Sequence, residues 1–291
     1  MADSETVGDE ELEDEVVSDA EKLQIVQHFL LNAPPGEFDE VLLDSASLVP
    51  EGLVSQPMLA GISRAYNVAG LRVCETEGKA VILCKAGEVD STHYLEPDSK
   101  VVYSVDHVSG TATKSDVEAP ATAFEAERAA IAEAVDAYVK ARFGSSKQCA
   151  AVYAPANGAL QVVISAEQVN LRNFWSGNWR STWTVAVDGA SCTVDGAVAV
   201  RAHYFEDGNV QLQTQKASPP LTFAYADASE LAAEVVATIE RAETALQAGL
   251  EDMYSNMTNE TFKAMRRVMP VTRTKMKWNL HELALNRNLR K

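Results

Sequence analysis

The sequence predicts an α+β protein in which helices flank an antiparallel sheet. Apolar residues recur at helical spacing in three short segments near the start and in two longer segments, 122–143 and 228–257. Between these helices lie short runs rich in β-branched and apolar residues, divided by Gly, Pro and Asp as in strands joined by turns. With 291 residues and 46% hydrophobic content, the chain is long enough to bury a substantial core.

The beginning of the chain divides into an acidic segment and a group of short helices. Residues 1–17 carry too few apolar side chains to offset the entropy lost on ordering, so we expect them to be disordered. Ser18 and Glu21 fit a capping box and predict that the first helix begins here. The Pro-Pro-Gly sequence at 34–36 is expected to end that helix. The other helices of this module, which covers 18–68, are predicted over 37–44 and 56–66.

Two regions of strand pattern follow, and a long helix comes after them. The first region, 69–120, contains β-branched and apolar runs. The second, 121–220, begins with the helix 122–143 and continues as an antiparallel meander. Its strongest turn is 206–209, because Asp-Gly supplies the positive φ angles of a tight hairpin. The long helix dominates 221–258 and spans roughly 45 Å at ~1.5 Å per residue, enough to cross a sheet. The predicted strands are 71–74, 80–84, 101–105, 150–154, 160–165, 179–187, 193–204 and 210–215.

Charge is strongly polarised along the chain. The formal net charge is −17, yet residues 261–291 carry nine Lys or Arg against one acid. The acidic body disfavours a broad attraction to nucleic acid, because its field repels phosphates. The basic end, 259–291, is also amphipathic, which is typical of a helix that binds in a partner's groove, with an anionic membrane surface as the alternative. The charged binding candidates are Lys263, Arg266, Arg267, Arg273 and Lys275, and the apolar candidates are Trp278, Leu280 and Leu283.

The sequence offers little that is typical of an enzyme. Signatures of phosphate-binding loops, dinucleotide sites, α/β-hydrolases and zinc proteases are absent, so we expect no catalytic activity and no cofactor. One alternative is a hydrolase or metal site in which His203 acts with Glu206 or Asp207. Another is base stacking by the three tryptophans of 175–183, which lie beside an arginine. We favour structural roles for both groups: a tight turn for the first, and indoles buried at a turn with an arginine stacked on them for the second.

The chain is expected to be a cytosolic protein. Its acidic N-terminus lacks the basic and apolar regions of a signal peptide. No stretch approaches the roughly 18 continuous apolar residues that a membrane helix requires. The four cysteines are scattered without the paired spacing of metal or redox sites, which favours free thiols in a reduced compartment.

Four blocks of the sequence resemble the F-actin-capping protein alpha subunit family. They occur in the family's order, and chance does not produce four such matches together. The blocks are 33–38 (Ala-Pro-Pro-Gly-Glu-Phe), 173–181 (Asn-Phe-Trp-Ser-Gly-Asn-Trp-Arg-Ser), 203–212 (His-Tyr-Phe-Glu-Asp-Gly-Asn-Val-Gln-Leu) and 262–275, which begins Phe-Lys-Ala-Met-Arg-Arg and ends Pro-Val-Thr-Arg-Thr-Lys.

This resemblance implies the alpha subunit of an obligate alpha/beta heterodimer. It implies an N-terminal helical stalk, a globule whose antiparallel sheet continues into the beta subunit, a long helix across that sheet and a C-terminal tentacle. The implied activity is to bind the barbed ends of actin filaments independently of Ca²⁺ and to block subunit exchange there. The family's basic tentacle residues contact actin, and they map to Lys263, Arg267 and Arg273; we add Arg266 and Lys275 from charge alone.

Two alternatives remain within the resemblance. The chain caps the actin-related filament of a dynactin-type complex, or it is a scaffold whose basic patch binds phosphoinositides without capping activity. Capping regulators are further implied partners. In each case we expect a cytoplasmic, cytoskeletal protein that binds no nucleic acid and does not span a membrane.

Overall fold

Three helices begin the part of the chain that the structure describes. The computed structural model describes residues 17–156, 158–206 and 208–257. The first helices pack around an apolar core in which Val26 and Leu30 are buried. These helices are α1 (Asp19–Leu31), α2 (Phe38–Ser47) and α3 (Gln56–Ala69).

The start of α1 confirms the predicted capping box. The Ser18 hydroxyl accepts a hydrogen bond from the Glu21 backbone N–H (3.3 Å), and the Glu21 carboxylate accepts one from the Ser18 N–H (2.8 Å). These bonds satisfy two backbone donors that the first turn of a helix leaves free. α1 ends at Leu31, ahead of the Pro-Pro-Gly sequence at 34–36.

Two small antiparallel sheets follow the helices. The predicted strand pattern finds three of their five strands and misses the third and fifth. The fifth has mostly exposed residues because it lies at a sheet edge, so it lacks the apolar alternation on which the prediction depends. The two-stranded sheet contains β1 (Val73–Cys74) and β2 (Val81–Ile82); the three-stranded sheet contains β3 (His93–Glu96), β4 (Val101–Asp106) and β5 (Thr111–Lys114) in that order.

Helix α4 (Glu125–Phe143) precedes a five-stranded antiparallel meander. α4 packs against the first strand of this sheet, with Ile131, Val135 and Val139 buried along one face. The strands are β6 (Lys147–Tyr153), β7 (Leu160–Asn170), β8 (Trp175–Asp188), β9 (Ser191–Tyr204) and β10 (Val210–Ala224), and the sheet order is β10-β9-β8-β7-β6. The antiparallel pairing of β9 with β10 confirms the predicted hairpin; its turn includes Asp207, which lies outside the described residues.

All five strands of the meander are longer than the sequence pattern predicted, and the extensions of β10 and β8 are the most informative. β10 continues through Pro219 and Pro220, where its register with β9 shifts. Proline is tolerated there because β10 is an edge strand with a bulge. β8 begins at Trp175, so the three tryptophans lie along a strand, and the predicted turn comes just before them, in the 3₁₀ helix Leu171–Asn173 and at Phe174.

A shared apolar core connects the small sheets to the meander. Ile82, Leu95 and Val102 from the small sheets pack in one cluster with Tyr153 of β6 and Val163 of β7. All five residues are buried. This packing brings the small sheets and the meander together, so residues of both can line one cleft.

The last described helix is α5 (Ala228–Asn256). Its residues fall in two compact units: 228–236 belong to the first and 237–256 to the second. In the first unit Leu231 and Val235 are buried at the four-residue spacing predicted for the apolar face of this helix. No helix within the described ranges combines the length and apolar character that crossing a bilayer requires.

Candidate functional site: partner-binding surfaces

The residues predicted to bind a partner lie outside the described residues. All of them fall in the segment 258–291, and their role stays a prediction. They are Lys263, Arg266, Arg267, Arg273, Lys275, Trp278, Leu280 and Leu283. The described residues instead contribute two surfaces that the sequence pattern did not locate.

The first surface is the free edge of β10. This strand pairs with β9 on one side and, within the described residues, has no strand on its other side. None of its residues is buried. The nine residues from Val210 to Ser218 pair with β9 in continuous register. At ~3.4 Å per residue, about 30 Å of regular edge therefore presents backbone N–H and C=O groups that β9 does not use.

The strand at the opposite edge of the same sheet is less exposed. β6 is the other outermost strand, but α4 packs against it, and Val152 and Tyr153 are buried. Long exposed edges are uncommon in folded proteins because they promote unwanted association. β10 is therefore the edge to which a strand of another chain can be added.

The second surface, the helical apolar surface, consists of Ile25, Phe29, Leu43 and Leu48. Ile25 and Phe29 are each 48% exposed and lie four positions apart, so they share one face of α1. Leu43 in α2 and Leu48 just after it are 72% and 75% exposed. Another face of α1 already fills the core of the helical module. Exposed large apolar side chains on two helices that contact each other, α1 and α2, favour contact with another molecule.

Three of the four sequence blocks meet at a buried polar contact. The Glu37 carboxylate accepts a hydrogen bond from the Ser176 hydroxyl (3.1 Å), and the same oxygen lies 2.7 Å from His203 Nδ1. All three residues are buried, and the His203 ring stacks on Phe205. The contact therefore joins the connection between α1 and α2 to β8 and β9. Sequence reasoning missed it because the partners are 139 and 166 residues apart.

This geometry does not place a nucleophile beside a base. Ser176 and His203 both bind Glu37 and not each other, and His203 Nε2 is buried. Glu206 instead accepts a hydrogen bond from a tyrosine hydroxyl, and Asp207 lies outside the described residues. Among the residues that the structure describes, no group of three or more His, Cys, Asp or Glu is placed to hold a metal ion. The hydrolase and metal alternatives for His203 therefore gain no support from its surroundings.

The tryptophans of β8 pack within the structure. Trp183 is buried, and Trp179 lies 6.1 Å from Phe143 between ring centroids. The guanidinium of Arg142 lies 5.6 Å from the Trp179 ring centroid, at the distance of a cation–π contact. The stacked arginine thus comes from α4 and is not the neighbouring Arg180. The predicted burial is confirmed for Trp183, and its indole is inaccessible to a nucleobase.

The four cysteines are free, as predicted. Burial raises the pKa of Cys149 and of Cys192 to about 11. Both thiols are therefore protonated at neutral pH, where the thiolate would be the reactive form. This makes them unsuited to nucleophilic catalysis.

The open β10 edge and the helical apolar surface define a protein with two surfaces suited to association with another chain. A family model described as "F-actin capping protein alpha subunit" matches residues 26–288. The chain belongs to this family, which is described by a capping role and not by a reaction.

Curated relatives agree with the family match. The F-actin-capping protein subunit alpha of Dictyostelium discoideum is 35% identical over 277 residues, which cover 90% of this chain and 95% of the relative. The protein of the same name from Arabidopsis thaliana is 33% identical over 309 residues, covering 100% of this chain and 98% of the relative. The Caenorhabditis elegans relative is 32% identical over 269 residues.

A solved structure has the same fold. It is the homodimeric actin capping protein alpha subunit from Plasmodium berghei, with a TM-score of 0.73, and the alignment covers 86% of this chain and 98% of that chain. At 24% identity this likeness establishes the architecture alone. It supports the predicted α+β class, with helices and antiparallel sheets.

Proposed function

We propose that this chain is the alpha subunit of a heterodimeric capping protein. It binds the barbed ends of actin filaments independently of Ca²⁺ and blocks subunit exchange there. The observation that carries this proposal is the family match, because it extends to residue 288 and so includes the basic C-terminal segment. In this role the chain is a cytoplasmic, cytoskeletal binding protein that needs no catalytic residue and no cofactor.

In this proposal a beta subunit binds the two surfaces described above. One of its strands pairs with β10, because strand addition satisfies the backbone groups of an open edge. The helical apolar surface packs against the same partner. The chain then consists, in order, of an acidic segment (1–17), a stalk (18–68), two sheet-containing regions (69–120 and 121–220), a long helix across the shared sheet (221–258) and a tentacle (259–291).

The basic tentacle residues alone are too weak for tight capping. An exposed ion pair contributes ~0.2–1 kcal/mol, so five give about 1–5 kcal/mol. A micromolar complex needs about 8 kcal/mol. The remainder comes from Trp278, Leu280 and Leu283 and from a second tentacle of the beta subunit, which binds at high effective concentration once the first has docked. The basic segment sets the association rate by electrostatic steering toward acidic actin.

Elongation of pyrene-labelled actin from filament seeds tests this function. The chain is co-expressed with its beta subunit and added at substoichiometric concentration. We expect arrest of barbed-end growth, and we expect Lys263→Glu, Arg267→Glu and Arg273→Glu together to weaken capping by at least tenfold. A matched control reverses three exposed cations elsewhere, Lys85, Lys114 and Arg172, with the same change in net charge.

The outcomes separate the candidate functions. Equal loss in both triple variants would show that net charge matters and the tentacle does not. Absence of arrest by a folded dimer would reject capping of conventional actin, and the same assay on an actin-related filament then tests the dynactin-type alternative. Phosphoinositide vesicles that bind the wild-type dimer, but not the tentacle variant, would support the lipid-regulated alternative.

A further inference from the structure

A second group of charged residues lines a cleft of about 590 Å³ in the first compact unit. Its floor is a row across four strands of the meander: Lys147, Glu167, Asn178 and Arg201 are neighbours in the strand register, each opposite the next. Residues paired in this way share one face of a sheet. Arg72, which lies just before β1, also lines the cleft. We call this the arginine cleft; its volume lies within the ~300–1,000 Å³ typical of small-molecule sites.

Two arginines of the arginine cleft have only neutral partners among the described residues. Arg72 Nη1 donates to Asn67 Oδ1 (3.2 Å), and Arg201 Nη2 donates to the carbonyl oxygen of Asn32 (2.9 Å). A guanidinium carries five N–H donors, so each keeps donors that these bonds do not use. Gly110 leaves room for Arg72, because a Cβ atom at this position would lie 2.1 Å from Arg72 Nη2.

The other charges of the cleft are already paired or exposed at its rim. Glu167 accepts from buried Arg180 (2.6 Å), which also donates to three backbone carbonyls. Lys147 lies 2.8 Å from Glu75, but both side chains are exposed, and such pairs contribute little. Lys147 can therefore turn to a ligand. The remaining carboxylate that lines the cleft, Asp39, is also exposed.

The electrostatics of Tyr66 show that the arginines converge. Burial raises the pKa of Tyr66, and the positive charges of Arg201, Arg180 and Arg72 oppose that rise, while Glu167 adds to it. Three guanidinium groups thus act on one residue of the cleft wall, in a chain whose net charge is −17. Gathered cations repel one another, and an anion between them removes that repulsion.

We propose that the arginine cleft binds a small polyanion bearing phosphate or carboxylate groups. Guanidinium groups bind both kinds of oxyanion through paired N–H···O bonds. Arg72 and Arg201 hold the anion, and Lys147 adds charge. Asn178 Oδ1 is buried without a hydrogen-bond partner among the described residues, so it can accept a bond from a ligand hydroxyl. The inference does not depend on capping activity, because none of these residues lies in the tentacle.

Calorimetric titration of the full-length chain with sodium tripolyphosphate and with trisodium citrate, at equal ionic strength, tests the proposal. The basic C-terminal segment also attracts polyanions, so the reference protein carries Lys263→Gln, Arg267→Gln and Arg273→Gln. We expect this reference to retain one site, and Arg72→Gln with Arg201→Gln to weaken that site at least tenfold. The relative affinities of the two probes distinguish phosphate from carboxylate ligands.

A matched control and a second measurement complete the test. Lys85→Gln with Lys114→Gln removes the same charge from exposed positions outside the arginine cleft and should leave the affinity unchanged. The second measurement is hydrogen exchange of the wild-type chain. Whichever of tripolyphosphate and citrate binds more tightly should slow exchange over 67–75 and 108–112. The proposal is overturned if neither probe binds the reference protein, if the cleft substitutions leave the affinity unchanged, or if protection is confined to 258–291.

Discussion

Replacing Leu43 and Leu48 with glutamine removes apolar area from the helical apolar surface without adding charge. These residues are 72% and 75% exposed in the single chain. Fully burying a leucine contributes ~1.5–3 kcal/mol, so covering the exposed part of each contributes about 1–2 kcal/mol. If a partner covers both, their loss weakens association by about 2–4 kcal/mol, or roughly 30- to 1,000-fold in Kd.

The same substitutions should hardly affect the chain itself. Surface changes away from caps, cores and strained positions usually alter the free energy of unfolding by less than ~0.5 kcal/mol. The expected signature is therefore a folded subunit with weak assembly. Dilution of the co-purified dimer, followed by mass photometry, measures the Kd, and circular dichroism of the separated chain checks its folding.

Val89→Gln with Val117→Gln is the matched control. Both valines are exposed, but they lie outside α1, α2 and β10. We expect the control to assemble with wild-type affinity. The reasoning is refuted if the leucine variant also keeps wild-type affinity, or if the control weakens assembly to the same extent.

Three further predictions concern the fold itself. His203→Ala removes a hydrogen-bond donor from the buried Glu37 carboxylate and should lower the free energy of unfolding by about 3–5 kcal/mol. Glu206→Gln, at an exposed position, should lower it by less than ~1 kcal/mol, and equal losses in urea unfolding would contradict the buried role of His203. Gly196→Ala places a Cβ atom 2.4 Å from a backbone oxygen of β8 and should lower the free energy of unfolding by about 1–3 kcal/mol. Gly61→Ala in α3 places its Cβ atom with nothing within 4 Å and should raise that free energy by ~0.5–1 kcal/mol, so thermal unfolding of the two variants should show shifts of opposite sign. Cys149, with its pKa raised to about 11, should be alkylated at pH 8 roughly 100-fold more slowly in the native chain than in the denatured one. Rapid labelling of native Cys149 in a mass-spectrometric time course would contradict the raised pKa. Because the pKa of this thiol is higher in the folded chain than in the unfolded one, its contribution to stability is complete below pH ~9 and is lost as the pH rises toward 11.

Much of the secondary structure was predictable because its causes are local. The capping box at Ser18 and Glu21 acts over three residues, and the apolar face of α4 recurs every three or four. The sequence pattern predicted a wrong strand end where a local signal, such as proline, is overridden by the position of the strand in the sheet. Pro219 and Pro220 indicated the end of a strand, but β10 continues through them because an edge strand needs fewer backbone donors.

The binding surfaces were predictable only in part. The basic segment 259–291 is evident from composition, because charge can be counted along the chain. The helical apolar surface was not, since exposed and buried leucines look alike in sequence. In α1 the residues that fill the core and those that are exposed alternate within a few positions, and only the packing of α2 and α3 decides which face is covered.

By itself the sequence determined the α+β class, the helix starts, the β9–β10 hairpin and the polarity of charge, because each depends on residues close together in the chain. Only the tertiary structure decided that Glu37 meets Ser176 and His203, and that Lys147, Glu167, Asn178 and Arg201 form one row. Such contacts depend on the register of every strand between the partners. A slip of one residue would turn each side chain to the opposite face of the sheet, and no local rule specifies that register.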